Sequence, residues 1–129
     1  MSLLIFRESY YMNKKTELEK LIEVTLRFRD ERDWKQFHTP KDLAMDISVE
    51  AGELLEHFLW KDKEAMEQLT KEKKKEIGDE LADVLHGIIL LSQELGIDLV
   101  AAYHQKMEEN AKKYPAEKVK GKSKKYTEY

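Results

Sequence analysis

Between Leu43 and Leu95 apolar residues recur every three to four positions, a period that commits the stretch to helix, and in two places carboxylates spaced three apart run beside the apolar stripe. A helical residue advances about 100°, so positions three apart share a face. In the first segment Ala44, Ile47, Ala51, Leu54, Leu55 and Phe58 form the stripe, and Asp46, Glu50, Glu53 and His57 form a line about 120° around the cylinder. In the second, Ile77, Leu81, Val84, Ile88, Leu91 and Leu95 form the stripe, and Glu76, Glu80, Asp83 and Gly87 lie about 100° away. Helices packed antiparallel through these stripes would bring Glu50, Glu53, Glu80 and Asp83 to one edge. At about 6 Å and an effective dielectric near 20, each like-charged pair costs on the order of 2–3 kcal/mol. Such an edge takes up cations or splays into water. All-oxygen ligation suits a hard ion, Mg2+ or alternatively Mn2+.

The plainer explanation is a solvated acidic face. The chain holds 18 glutamates, and the same spacing occurs at Glu53/Glu56 and Glu64/Glu67, so spacing alone favours that explanation. Placement argues for metal: both pairs border the stripes of the two most apolar segments, and Ala51 and Gly52, inside the first pair, let another element approach closely.

With 129 residues and no obvious linker the chain reads as one domain, residues 1–129, with 1–12 as an N-terminal extension and 116–129 as a basic tail. Charged residues make up 38% and hydrophobic residues 41%, a helical composition with strongly solvated faces. No cysteine is present, which excludes disulfides and thiolate zinc sites and fits a cytoplasmic protein. No run approaches the roughly 18 apolar residues of a membrane span, and MSLLIFRESYYM lacks a signal-peptide core, so no membrane partner is expected. A net charge of −3 argues against a dedicated nucleic-acid binder. Acids crowd the middle and lysines the end, an arrangement suited to a polyanion held through metal on one side and ammonium groups on the other.

The local signals predict four principal helices. Thr16 and Glu19 form a capping box for the first, over 14–33. RDERDWKQFHTP reads as a loop in which Thr39 caps and Pro40 opens the second helix, running to Trp60. In that loop Trp34 and Phe37, with His38, are candidates to stack on a nucleobase, although a hydrophobic plug is the commoner use. Asp62 caps a short helix through Leu69, Thr70 caps the third long helix, which stops at Gly96, and Asp98 caps the last, from Leu99 to Lys113. On it Lys106, Asn110 and Lys113 make a polar line able to hold phosphate oxygens, though terminal-helix lysines are more often simply solvated.

RDWKQFHTPKDLA, EAGELLEHFLW, EIGDELADVLHGIILL, KMEENAKKYP and SKKYTEY, in that order, resemble the MazG-like all-α nucleoside triphosphate pyrophosphohydrolases, and most of all their small dCTP pyrophosphatase branch. The resemblance spans about Phe28 to Tyr129 and lies in the five ordered blocks more than in the short acidic motifs. It implies an antiparallel four-helix bundle assembling into a homodimer or homotetramer, with Glu50, Glu53, Glu80 and Asp83 as ligands of Mg2+. It implies that Trp34 and Trp60 line the base pocket, with His38 at a recurrent position beside them, and that Lys106, Asn110, Lys113 and Tyr114 contact the triphosphate. Gly87 departs from the pattern, standing where dCTP-selective members carry a tyrosine near the base, so a cytosine preference does not carry over with the rest. The expected reaction is hydrolysis between the α and β phosphates of a nucleoside triphosphate, with dCTP or a modified pyrimidine nucleotide among the candidates and Glu53 as the proton acceptor. The rivals are a non-catalytic helical scaffold and a carboxylate di-iron bundle; the latter expects two Glu-x-x-His repeats, whereas here only Asp83-x-x-His86 comes near.

Overall fold

The cap residues set the helix boundaries, and the computed structural model, which describes residues 14–128, shows how. Helix α1 (Glu17–Glu31) opens on the expected capping box: Thr16 Oγ1 accepts from the Glu19 N–H at 3.2 Å, and the Thr16 N–H donates to Glu19 Oε2 at 2.7 Å. A single 3-10 turn, Lys35–Phe37, breaks the following loop. Thr39 then caps α2 (Pro40–Glu56), its Oγ1 accepting from the Asp42 N–H at 3.1 Å with Pro40 in the first turn. Helix α3 (Lys63–Glu72) is capped by Asp62, and α5 (Leu99–Lys113) by Asp98. Between them α4 (Lys74–Glu94) stops before Gly96, whose φ of 63° is the left-handed conformation that glycine adopts without a Cβ penalty. A short α6 (Ala116–Val119) and a 3-10 turn, Tyr126–Glu128, follow. The described residues contain no strand. The expected extension over 1–12 lies outside them.

Two boundaries differ from the sequence reading. Helix α2 ends four residues before Trp60: the Phe58 and Leu59 N–H groups both turn back to the Leu55 carbonyl, and Trp60 itself sits at φ 63°. Thr70 does not cap the third long helix. It lies inside α3, where its hydroxyl donates to the Glu67 carbonyl at 3.0 Å, and α4 begins after Lys73 without a side-chain cap.

Helices α2 and α4 form the central pair. They run antiparallel, since Leu43 faces Leu90, Ile47 faces Gly87, Glu50 faces Asp83 and His57 faces Glu80. Leu43, Ile89 and Leu90 are the buried apolar residues of this seam. Gly87 permits a close approach there: a Cβ at that position would lie 2.8 Å from Ile47 Cγ1, and Ile47 would have to shift. Helix α1 packs on α4 through Thr25 and Arg29, both buried. Helix α5 leaves α4 at 104° and does not fold back along it, so much of the expected stripe stays uncovered, including Leu55 and Leu81, each more than half exposed. No single helix among the described residues is long and apolar enough to cross a membrane.

Candidate metal centre and adjoining cavity

Antiparallel packing of two helices that each carry acids three residues apart has one consequence for charge: the acids meet. Glu50 from α2, with Glu80 and Asp83 from α4, each offers an oxygen within 4.8 Å of the other two. Glu50 and Glu80 are half-buried, and Asp83 is exposed. Burial, and then the charges of Glu53, Asp83 and Asp46, push the Glu50 carboxyl up to about 7. Glu80 is raised for the same first reason, burial, reinforced by Glu53 and Asp83 and partly offset by His57, whose Nε2 lies 4.0 Å from Glu80 Oε1. Glu53 is more exposed than Glu50 and Glu80 but bears on both by its charge.

Two oxygens here have no partner among the described residues: Glu50 Oε2 and Glu80 Oε2 are buried without a hydrogen bond. Buried acceptors left unmatched beside further carboxylates are costly, and a cation removes that cost. The donor set is entirely oxygen, with no thiolate and only His57 nearby, so the residues fit a hard divalent ion of the Mg2+ or Mn2+ kind.

A cavity of ≈ 290 Å³ opens against Glu50 and Asp83. Trp34 and His38 line it, as does Phe28, whose ring meets Trp34 edge-on at 5.8 Å and His86 edge-on at 5.8 Å. Arg32 covers Phe28 with its guanidinium carbon 3.7 Å from the ring centroid. The buried Nδ1 of His38 has no hydrogen-bond partner among the described residues. On the other side of Phe28 and His86 a second, shallower cavity of ≈ 330 Å³ is walled by Val24, Thr25, Ala82 and Asp83.

Other expected site residues stand apart within a single chain. Trp60 is 93% exposed and does not line the cavity. The α5 residues do not line it either: Lys106 pairs with Glu109 at 3.3 Å, Asn110 is half-buried, and Lys113 Nζ lies 5.4 Å from the centroid of Tyr126. Tyr126 in turn meets Tyr114 edge-on at 5.9 Å, so the basic tail folds onto the end of α5. Sequence reasoning missed Phe28, Arg29, Asp42 and His86 as cavity residues. Asp46 stood on the acidic line at i−4 from Glu50, the one available signal. Arg29 gave none, since its burial comes from crossing α4 and its guanidinium is held by Asp30 Oδ1 at 2.7 Å.

Comparison with known proteins places the chain in a family. Residues 45–129 match the sequence pattern of the MazG-like family. The chain is 38% identical over 113 residues to dCTP pyrophosphatase 1 of Homo sapiens and 37% identical to that of Rattus norvegicus, covering 86% of this chain and 66% of each relative. It thus spans just under two thirds of the length of these relatives. A crystal structure of a pyrophosphatase from Archaeoglobus fulgidus superposes with a TM-score of 0.75 at 38% identity, covering 80% of this chain and 96% of the other.

Proposed function

Because this chain belongs to the MazG-like family, we propose that it is a metal-dependent nucleoside triphosphate pyrophosphohydrolase, releasing the monophosphate and pyrophosphate. The observation that carries the proposal is the meeting of Glu50, Glu80 and Asp83 oxygens, two of the carboxylates with a buried unpartnered oxygen, at the mouth of an aromatic cavity. Glu50, Glu53, Glu80 and Asp83 would hold Mg2+, which when bound supplies positive charge against the triphosphate and its developing transition-state charge. Glu53, the most exposed of the three glutamates, accepts the proton of the attacking water as that oxygen bonds to the α phosphorus and the bond to the bridging oxygen breaks. Trp34 and Phe28 flank the base, and His38 presents a polar nitrogen to it.

The polar line on α5 completes the site from a second copy of the chain. Lys106 and Lys113 then hold β and γ oxygens, with Asn110, Tyr114 and Trp60 alongside. Two features support this: α5 diverges from its own α4 by 104°, and Val100 and Tyr103 on it are about half exposed or more. In that assembly helices from two copies complete a four-helix bundle.

The test is product identification with a panel of nucleoside triphosphates, modified pyrimidines included, with and without Mg2+. Glu53→Gln should lower pyrophosphate release by at least about a hundredfold with helicity unchanged. Absence of Mg2+ and Mn2+ binding by calorimetry, with or without a nonhydrolysable nucleotide, would return the chain to a helical interaction protein.

A further inference from the structure

Two of the charged side chains around the cavity are engaged within the chain. Asp42 Oδ2 accepts from Thr39 Oγ1 at 2.7 Å, and Asp30 holds the Arg29 guanidinium. Asp46, which is not among the proposed metal ligands, lines the same cavity and makes no hydrogen bond or ion pair among the described residues. Its position depends on the missing side chain at residue 87. A Cβ there would lie 3.4 Å from Asp46 Oδ2 and 2.8 Å from Ile47 Cγ1, so a side chain at 87 would displace Ile47 and press against the Asp46 carboxylate.

We infer that Asp46 selects the base, its carboxylate accepting a hydrogen bond from an exocyclic amino group, so that the cavity takes cytosine, adenine or guanine in preference to thymine or uracil. The inference rests on the nucleoside triphosphate reading of the site. An ionised carboxylate is an acceptor only. It gains from an amino group, and it repels the carbonyl oxygens that flank the single ring N–H of thymine and uracil. Pairing of this kind discriminates between bases, because the wrong base forfeits the hydrogen bond and meets like charge in its place. Asp46 lies one helical turn before Glu50, so the residue reading the base and a residue holding the metal share one rigid element. The unpartnered Nδ1 of His38 adds a second polar contact on the same wall.

Calorimetric binding of the α,β-methylene analogues of dCTP, dATP, dGTP and dTTP in Mg2+ reads base choice without turnover. The wild-type chain should bind the three amino-bearing analogues about tenfold or more tighter than the dTTP analogue, and Asp46→Asn should close most of that gap. An unchanged preference in Asp46→Asn, or an equal loss for every base, overturns the inference; the second result would make Asp46 a support of the metal site. Discrimination in analogue binding, with no pyrophosphate released from the four natural triphosphates, leaves base selection standing and removes the hydrolase reading. Turnover without discrimination does the reverse, and failure to bind any nucleotide removes both.

Discussion

At the residue scale the molecule's chemistry is a matter of charge crowding. Glu50 is held at about 7 by burial and by the carboxylates of Glu53, Asp83 and Asp46, so near neutrality it binds a proton in the folded chain and loses it in the unfolded one. The sign follows from linkage: without metal, Glu50 favours the fold fully below about pH 4.5, and that contribution is lost as the pH rises through about 7. A cation acts in the opposite sense, because it binds the ionised oxygens and expels the proton. Thermal unfolding in chelator should therefore show a stability component that falls between about pH 5 and pH 8 and is absent in Glu50→Gln. Mg2+ should raise the Tm more at the alkaline end, with proton release seen as a buffer-dependent binding enthalpy. A Mg2+ effect on Tm that is the same across that range would remove Glu50 from the ligand set.

At the scale of elements, the caps were legible because their chemistry is local. Thr16 with Glu19, Thr39 with Pro40, Asp62, Asp98 and Gly96 stand at the ends of the helices they were expected to bound. Thr70 misled because a threonine inside a helix satisfies its hydroxyl on a carbonyl of its own helix, here that of Glu67, and so resembles a cap only in sequence. Trp60 misled because apolar character continued past Glu56 while the backbone had already turned. The cap at Thr39 carries a prediction, since it holds both the start of α2 and Asp42 at the cavity wall. Thr39→Ala should cost about 1 kcal/mol, lowering the Tm by about 4 °C, while Thr39→Ser should restore most of it. Mg2+ binding should survive in both, because Glu50 lies more than two turns further along α2. A Tm unchanged in Thr39→Ala would show that the loop, and not the cap, fixes where α2 begins.

At the scale of the whole molecule the described residues leave much apolar surface open. Its buried apolar seam consists of Leu43, Ile89 and Leu90, whereas Val49, Leu55, Leu81 and Tyr103 are all more than half exposed. Exposed apolar surface on this scale marks an interface. Sedimentation should find a dimer or tetramer, and Tyr103→Lys should yield a smaller species that keeps its helicity and Mg2+ binding but loses pyrophosphate release. A fully active monomer would sink this arrangement. What the sequence determined by itself was whatever neighbours along the chain decide: the helices with most of their ends, the acid pairs on a single face, and the likeness to one enzyme family. Only the tertiary structure decided which acids meet, that Arg29, Asp46 and His86 wall a cavity beside them, and that α5 turns away from its own chain. The physical reason is range. Caps and periodicity act over three or four residues, whereas the close seam at Gly87 and the crossing of α1 over α4 depend on shapes contributed by segments about forty and nearly sixty residues apart in sequence.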